Sequence, residues 1–527
     1  MKKSLYSIFL AACIACASVS CSSNDPDEST DNSSSTGTNV DTNYGDDNDL
    51  VENQTWSYSL DIVWSGSTAT VSGSVDGVTV SNSNGYVSIT STTKQVVYNV
   101  SGSGTGQLSI YSDYKFQLAL QGLTLACSDG PAINNQCHKT CYVVVNGTNT
   151  LSDGSSYASS SEDRKAAFFS EGQLCFSGTG SLNITGNYKH ALASDDYIRL
   201  CTGMTASLDL TAKVSDGLHT NDGVIINAGS LTITAVEEGI QCDTSSVVIT
   251  GGTIDITSST DKGILAYGNI EISSGTIGIT SKYKCIKTQG NLIVSGGTIT
   301  AIATGTSSGN NGGRPGGSSS SSDGTPEGIE AKGTITITGG QIYAQANDDA
   351  INSGSTMTIS GGYVCAYSTG NDGLDANSNL YINGGLVYAI GASSPEVAID
   401  ALENCTLYIN GGTLVAIGGL ESGASLNQSC YSASSWSSST WYGLTVGSNV
   451  FAFKTPSSGG TPMVVSGSST PKLVSGVTAS GTAIFNGMGY YPSSVSGGSS
   501  VSLSSYTSGS SGGGGTPGGG GDRPGGH

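Results

Sequence analysis

The chain is poor in charge and in residues that favour helices. Only 11% of its 527 residues are Asp, Glu, Lys or Arg, against about 25% in a typical soluble domain. Lys and Arg together number 19 and Met only 5, so strong helix formers are scarce. After the first 20 residues no apolar run approaches the 18 residues of a membrane-spanning helix. These shortages argue against a helical fold and against a transmembrane helix.

The shortage of positive charge also restricts the partners. The formal net charge is −21, and removal of Lys2 and Lys3 in a cleaved leader would take it to −23. Such a chain lacks the basic surface through which proteins bind nucleic acid. We therefore expect no nucleic-acid partner, and an acidic polymer would need a bridging cation.

The abundant residues favour strands. Gly occurs 77 times, about twice the usual frequency, and Ser, Thr, Val and Ile are common. The β-branched residues fit pleated sheets, and the glycines have no three-residue period, which excludes collagen. A long all-β solenoid fits best, because it grows by adding repeats rather than by building further cores.

The thirteen cysteines do not form the pattern of a disulfide-rich scaffold. Ten follow Cys21, scattered and without a C-x-x-C pair. Several fall inside strand patterns, where a small apolar side chain suits the core. Cys137 and Cys141 are close enough in sequence to pair locally. A metal–thiolate cluster is not expected.

The first residues resemble the leader of a bacterial lipoprotein. Lys2 and Lys3 precede the apolar stretch 5–16, and small residues then lead to Cys21. We expect residues 1–20 to be a signal peptide and Cys21 to be lipidated, although Ser18 replaces the usual Leu. An ordinary cleaved signal peptide is the alternative.

An acidic segment follows this cysteine. Residues 22–52 contain nine Asp or Glu and no Lys or Arg, a composition too polar to fold. We expect residues 21–54 to be a disordered tether that holds the protein at the cell envelope. The anchor would be the only contact with a membrane, and the protein would be an outer-membrane lipoprotein exposed at the surface.

Replacing Cys21 by Ala is expected to release the protein from the membrane fraction. The lipid would be attached to this thiol. Fractionation and a radiolabelled-lipid assay check this. Continued lipidation of the variant would assign the anchor to Cys16, the second candidate, or to another residue.

The body of the chain is a repeat of about 22 residues. Its core is a Gly/Ala–Ile/Leu step, followed by alternating runs such as TITITGGQIYA and a Gly-Gly corner. From Leu218 onward the steps are 22 to 25 residues apart, except for one interval of 43 that contains a Gly/Ser-rich insertion over 305–326. The steps are Gly217-Leu218, Gly239-Ile240, Gly263-Ile264, Cys285-Ile286, Gly328-Ile329, Ala350-Ile351, Gly373-Leu374 and Ala398-Ile399.

This repeat predicts a right-handed parallel β-helix. Alternation with period two indicates short strands with one buried face, and Gly-Gly marks tight corners. We expect the solenoid over 55–430, a small C-terminal β cap over 431–505 that covers its open end, and a disordered Gly-rich tail over 506–527. Strands of successive coils would lie about 4.8 Å apart.

Acidic residues flank the later steps. Equivalent positions of successive coils stack in a parallel β-helix, so these side chains should converge on one exterior stripe. Bare carboxylates at this spacing repel by about 1 kcal/mol in water and about 3 kcal/mol at an effective dielectric of 20. Calcium prefers such a dense set of oxygen ligands, although Asp-Gly also suits turns without any ion. The predicted calcium ligands are Glu327, Glu330, Asp348, Asp349, Asn352, Asp372, Asp375, Glu396 and Asp400.

A second acidic group lies upstream and is a further calcium candidate. Its members are Asp216, Asn221, Asp222, Glu238 and Asp243. His219, beside this group, is expected to be a surface polar residue.

Three lysines stand on the coils between the two acidic groups. Lys262, Lys284 and Lys287 either neutralise the adjacent coils or contact a ligand that carries carboxylates. Trp436 and Trp441 either pack the cap or offer rings to a ligand.

Several segments carry a family resemblance. The runs DGPAI, AAFFSEGQLCFSGTGSLNITGNYKHAL, SDGLHTNDGVIINAGSLTIT, EEGIQC and NDGLDA resemble the calcium-binding, β-helical family of carbohydrate-binding domain-containing proteins. The resemblance covers roughly residues 85–490. It implies a fold like that of pectate lyases, calcium on the acidic coils, and binding of polygalacturonate-like polysaccharide or cellulose.

Single positions follow the family pattern to different degrees. Asp216, Asp222, Asp349, Asp372 and Asp375 match its acidic turn motif. The coils DKGILAYG and YKCIKTQG depart from it, because Lys replaces the acidic residues. Calcium on those two coils is therefore not expected.

We expect a non-catalytic binder in which calcium joins protein carboxylates to those of a uronate-rich glycan. One alternative is a calcium-dependent polysaccharide lyase, with Lys262, Lys284 or Lys287 as the base at C5. The scarcity of Arg argues against it. The other alternative is a structural surface or adhesion protein.

Overall fold

The computed structural model describes residues 47–306 and 324–509. The predicted signal peptide, Cys21, most of the tether, most of the insertion and most of the Gly-rich tail lie outside these ranges. Short 3₁₀ helices lie at Asp47–Asp49, Val51–Asn53 and Phe485–Gly487. Within the described ranges no helix has the length and hydropathy to cross a membrane.

The chain forms a β-solenoid of about 13 turns, which confirms the predicted all-β stack of coils. A typical coil gives one strand to a 14-stranded sheet and two to a 30-stranded sheet. Successive coils pair in parallel, with Ile264 beside Ile286 and Ile286 beside Ile329. The register therefore continues across the insertion.

The 14-stranded sheet carries the Gly/Ala–Ile/Leu steps, and most of its strands are very short. Its strands are Val78–Ser83, Tyr86–Ser91, Gln107–Ser112, Ile133–Asn135, Ala166–Ser170, His190–Ser194, Leu218–Thr220, Ile240–Cys242, Ile264–Ala266, Ile286–Thr288, Ile329–Ala331, Ile351–Ser353, Leu374–Ala376 and Ile399–Ala401.

The 30-stranded sheet forms the other two faces of the coils. Its first long strands are Tyr58–Gly66, Thr68–Ser72, Val96–Thr105 and Phe116–Ala126. One face consists of Cys141–Asn146, Leu174–Gly178, Ile198–Leu200, Val224–Ile226, Val247–Ile249, Ile270–Ile272, Leu292–Val294, Ile335–Ile337, Met357–Ile359, Leu380–Ile382, Leu407–Ile409 and Ser425–Leu426. The other consists of Thr148–Ser152, Ser181–Gly186, Ser207–Ala212, Ser230–Ala235, Thr253–Ser258, Thr276–Ser281, Thr298–Ala303, Gln341–Ala346, Tyr363–Ser368, Leu386–Ile390 and Thr413–Ile417. Cys430–Ala433, Met463–Ser466 and Ser504–Ser505 complete the sheet.

Alternating residues build the core. In Thr253–Ser258, Ile254 and Ile256 are buried while Thr253 and Asp255 face solvent. The same alternation stacks apolar side chains along the axis of the solenoid. The second Gly of each Gly-Gly corner has a positive φ, which side chains with a Cβ rarely adopt. These glycines are Gly252, Gly297, Gly340, Gly362, Gly385 and Gly412.

Both ends of the solenoid change from parallel to antiparallel pairing. At the start, Tyr58–Gly66 pairs in an antiparallel manner with Thr68–Ser72. At the other end, Thr413–Ile417 pairs in the same manner with Met463–Ser466, which also pairs with Cys430–Ala433. On the other two faces of the C-terminal end, parallel pairing extends once more, from Ile399 to Leu420 and from Leu407–Ile409 to Ser425–Leu426.

The segment predicted as a cap divides: Met463–Ser466 pairs at the end of the solenoid, whereas the six-stranded C-terminal sheet lies on its side. Outward positions on one face change from Thr300 to the apolar side chains of Tyr343, Cys365 and Tyr388. Together with Phe451 these form one buried cluster, so apolar residues on the last coils determine where the sheet packs. Its six strands are Trp441–Val446, Asn449–Lys454, Lys472–Ser475, Thr478–Ile484, Gly489–Ser496 and Ser499–Val501.

The end of the segment that we expected to be a tether contacts the solenoid. Val51 is buried against Tyr142. The Tyr197 hydroxyl donates a hydrogen bond to Asp49 at 2.6 Å, and the Ser177 hydroxyl donates one to Glu52 at 3.1 Å. These contacts all precede the first strand, Tyr58–Gly66.

Candidate functional site

The 14-stranded sheet stacks the residues that follow each step. Glu330 lies beside Asn352, Asn352 beside Asp375, and Asp375 beside Asp400. Upstream, His219 lies beside Gln241 and Lys287 beside Glu330. The predicted stacking of these positions is confirmed.

The residues that precede each step are more buried than expected for an exterior stripe. Asp349 is 6% exposed and Asp372 7%. Asp349 accepts a hydrogen bond from the backbone N–H of Asp372 at 3.1 Å, and Asp372 accepts one from that of Val397 at 2.6 Å. Each carboxylate is thus held against the backbone of the next coil, which removes it from solvent.

These carboxylates form a concentrated negative site. Ligand oxygens of Asp372, Asp375 and Asp400 lie within 4.8 Å of one another. Burial, reinforced by neighbouring carboxylates, raises the pKa of Asp372 to about 8 and that of Asp375 to about 7. The pKa of Asp349 is raised by burial and then by Asp375. At neutral pH these carboxyls therefore retain protons, which a bound cation would have to displace.

One member of this cluster escaped the sequence analysis. Leu420 pairs with Ile399, so Glu421 occupies the position after a further step, above Asp400. Its carboxylate accepts the backbone N–H of Ala401 at 3.1 Å, and burial together with Asp400 raises its pKa to about 7. The signal was present, since Gly419-Leu420-Glu421 repeats the step 21 residues after Ala398-Ile399.

We call this set the acidic site. It lies on the last four coils, and the ion pairs found among the described residues involve none of its members. Its members are Asp348, Asp349, Asp372, Asp375, Glu396, Asp400 and Glu421.

Two predicted ligands are instead paired with lysines. Lys284 lies 3.2 Å from Glu327 and 3.4 Å from Glu330, and Lys287 lies 3.5 Å from Glu330. Lys332 also pairs with Glu330. The predicted stripe is therefore divided into a neutralised part and the acidic site.

The lysines themselves are buried in these pairs. Lys284 is 0% and Lys287 1% exposed. Lys262 is also buried, 3.2 Å from Glu238 and 2.7 Å from Asp261. Their ammonium groups neutralise adjacent coils, which is the first of the two roles considered from the sequence.

Part of the upstream group stays together, because carboxylate oxygens of Asp216, Glu237 and Glu238 lie within 4.8 Å of one another. Asp216 also faces two histidines. Asp216 lies 3.1 Å from Nδ1 of His190 and 2.9 Å from Nδ1 of His219. His219 is buried, so the expectation of a surface residue was wrong. Burial lowers the pKa of His190 to about 4. His190 precedes the step Ala191-Leu192, and the sequence analysis did not single it out.

The other upstream residues have separate partners. Asp222 accepts a hydrogen bond from the Thr244 hydroxyl at 3.0 Å, and the backbone carbonyl of the half-buried Asn221 accepts one from the same hydroxyl at 2.8 Å. Asp243 accepts one from the Gln241 amide at 2.7 Å.

The two tryptophans are held within the C-terminal part. The half-buried Trp436 donates its indole N–H to the carbonyl of Gly460 at 2.9 Å. Trp441 stacks on Tyr490, with ring centroids 5.1 Å apart. Both therefore have packing partners.

Comparison with known proteins identifies the family. A family model described as carbohydrate-binding domain-containing protein matches residues 83–267 and 264–373, more than half of the chain. The chain belongs to this family. A solved polysaccharide lyase-like protein from C. thermocellum, a gadolinium derivative, is 24% identical over 45% of this chain and 96% of that chain, with a TM-score of 0.40. A search of curated proteins gave no match.

Proposed function

We propose that this protein is a non-catalytic, calcium-dependent binder of acidic polysaccharide. A polygalacturonate-like chain is the first candidate ligand and cellulose the second. Membership of a carbohydrate-binding family supports the class of ligand. The single observation that carries the proposal is the acidic site, whose carboxylates cluster without an ion pair among the described residues.

The residues of the acidic site fit calcium. Calcium binds six to eight oxygen atoms from carboxylates, amides and backbone carbonyls. Asp372, Asp375 and Asp400 offer carboxylate oxygens close together, and Asn352 and Glu421 stand at the neighbouring positions of the column. A bound calcium ion would supply the positive charge that these buried groups lack.

The same ion would explain how an acidic protein holds an acidic polymer. Asp375 and Asp400 are half-buried, so the outer edge of the site remains accessible. Calcium with coordination positions left open could bind carboxylates of uronate residues. Cellulose carries no carboxylate and would have to bind elsewhere.

The burial of the lysines favours a binder over a lyase. Elimination needs a base that reaches C5 of the sugar. Lys284 and Lys287 are enclosed and paired with Glu327 and Glu330, and Lys262 is paired with Glu238. None of these three ammonium groups is presented to a ligand, so we assign them to stability rather than to sugar contact.

Retention on immobilised polygalacturonate is expected to require calcium. The wild-type chain should bind in calcium and elute with a chelator, because the carboxylates of protein and polymer repel without the ion. Asp372→Asn should be retained less. Asp255→Asn, which removes the same charge from an exposed position on another sheet, should behave as wild type.

Three outcomes would count against the proposal. Retention that survives the chelator would remove calcium from the mechanism. Equal retention of Asp372→Asn and wild type would place binding on another surface. Release of unsaturated uronides, followed by their ultraviolet absorbance, would favour the lyase.

A further inference from the structure

Two of the four histidines in the chain meet at one buried carboxylate. Their rings are stacked, with centroids 4.3 Å apart and planes at 21°. Nδ1 of His190 and Nδ1 of His219 lie 3.1 and 2.9 Å from the same atom, Oδ2 of Asp216. All three residues are buried. We call them the histidine site.

The surrounding groups orient these atoms. The other oxygen of Asp216, Oδ1, accepts the backbone N–H of Glu238 at 3.2 Å and lies 3.4 Å from the Ser215 hydroxyl. Nε2 of His219 lies 3.4 Å from Asp243. Only Oδ2 of Asp216 is thereby left for the two imidazoles. The outer nitrogen of His219, Nε2, faces the second carboxylate, that of Asp243.

Hydrogen bonds leave one nitrogen of His190 unsatisfied. The backbone N–H of Asp216 points to Nδ1 of His190 at 3.3 Å, which places a lone pair on that nitrogen, 3.1 Å from Oδ2. Nε2 then carries the proton, and it is buried and has no hydrogen-bond partner among the described residues. His190 therefore directs a lone pair rather than a proton toward the carboxylate.

His219 offers the second nitrogen. With its proton on Nδ1 it donates a hydrogen bond to Oδ2 of Asp216 at 2.9 Å; with its proton on Nε2, which lies 3.4 Å from Asp243, the Nδ1 lone pair faces Oδ2 instead. A carboxylate on the outer nitrogen of a histidine is the usual support of a metal-binding imidazole. In that second tautomer, two nitrogen lone pairs and one carboxylate oxygen converge on one point.

We propose that Nδ1 of His190, Nδ1 of His219 and Oδ2 of Asp216 bind a divalent transition-metal ion of the zinc class. This site is separate from the acidic site and does not depend on the proposed function. Imidazole suits zinc and related ions, whereas calcium prefers oxygen. Zinc sites with three protein ligands keep a fourth position open.

Binding would require the rings to leave their stacked orientation. Zinc lies about 2.0–2.1 Å from a histidine nitrogen, close to the plane of the ring. Both rings must therefore turn about their Cβ–Cγ bonds to share one ion.

Cobalt and zinc titrations of the full-length, metal-free protein test this proposal. Wild type should bind one Co²⁺ with the intense visible absorption of a four- or five-coordinate site, and zinc should displace it. His219→Gln should weaken zinc binding by at least tenfold. His138→Gln provides the matched control, because His138 has an 80% exposed side chain away from the site.

Further variants protect the test against misfolding and against confusion with calcium. Asp372→Asn should retain the cobalt spectrum, and excess calcium should not remove it. If His219→Gln fails to fold, the cobalt spectrum of the wild type and its suppression by zinc still show whether the protein binds these metals. The proposal would be overturned if the cobalt spectrum is absent, if it survives in folded His219→Gln, or if calcium removes it. It would also be overturned if a histidine titrates without metal uptake, because a proton would then be the only occupant of the site.

Discussion

Asp372→Asn is expected to change stability in opposite directions with and without calcium. In calcium, the variant should melt at a lower temperature and bind the ion at least tenfold more weakly, since a ligand specific to the folded state stabilises it by mass action. In chelator, it should melt higher than wild type. Asn keeps the side-chain oxygen that accepts the N–H of Val397 and removes the free-energy cost of burying or protonating a carboxyl that is ionised in the unfolded chain. Calorimetry in both buffers measures this reversal in the order of the two melting temperatures.

The control for this experiment is Asp255→Asn, which should show no such reversal of melting temperatures relative to wild type. A drop of equal size for Asp372→Asn in both buffers would mean that Asp372 acts only through its hydrogen bond. Unchanged calcium affinity in this variant would remove Asp372 from the metal site.

The pH dependence of the metal-free protein follows from the same groups. Burial raises the pKa of Asp372 to about 8 and that of Asp375 to about 7, above the value of about 4 expected in the unfolded chain. The folded state therefore binds more protons between about pH 4 and pH 8. In chelator, stability should fall as the pH rises through this window, and acidification should weaken calcium binding.

Lys284→Ala is expected to destabilise the protein by about 3–5 kcal/mol, which is typical when one partner of a buried ion pair is removed. Lys284 is fully buried and lies near both Glu327 and Glu330. Its loss would leave the buried Glu327 without this partner. Urea denaturation measures the change. If Lys284 instead contacted glycan, the other role considered from the sequence, its replacement would change binding rather than stability.

Two variants distinguish these explanations. Lys282→Ala, two residues away and exposed, should change stability little. Glu327→Gln in the Lys284→Ala background should restore part of the loss, because it removes the buried charge. A fully stable Lys284→Ala protein with weakened glycan binding would show that the burial of Lys284 is not maintained in solution.

The periodic part of the molecule could be predicted because each coil obeys the same local rules. The Gly/Ala–Ile step, the alternation in runs such as TIDITS and the Gly-Gly corner repeat at nearly constant spacing. Constant spacing determines the register, and the register determines which side chains stack. The stacking of one column of side chains could be predicted directly from this register, and its members are Glu330, Asn352, Asp375 and Asp400.

Interactions between neighbouring columns could not be predicted in this way. Lys284 reaches Glu327 and Glu330 across the insertion, a contact that depends on side-chain length and direction rather than on spacing. His190 and His219 meet because they occupy different positions of adjacent coils. Burial of Asp349 and Asp372 likewise depends on the backbone of the following coil.

The antiparallel strands at the two ends bear on self-association. A stack of parallel coils ends in a row of unpaired backbone groups that another copy could extend, coil on coil, into a fibre. Here Thr68–Ser72 follows Tyr58–Gly66 in the reverse direction, and Met463–Ser466 does the same beside Thr413–Ile417. On these faces a parallel coil from a second molecule would meet a reversed strand instead of a parallel template. The reversed strands therefore disfavour extension of the repeat from one molecule to the next.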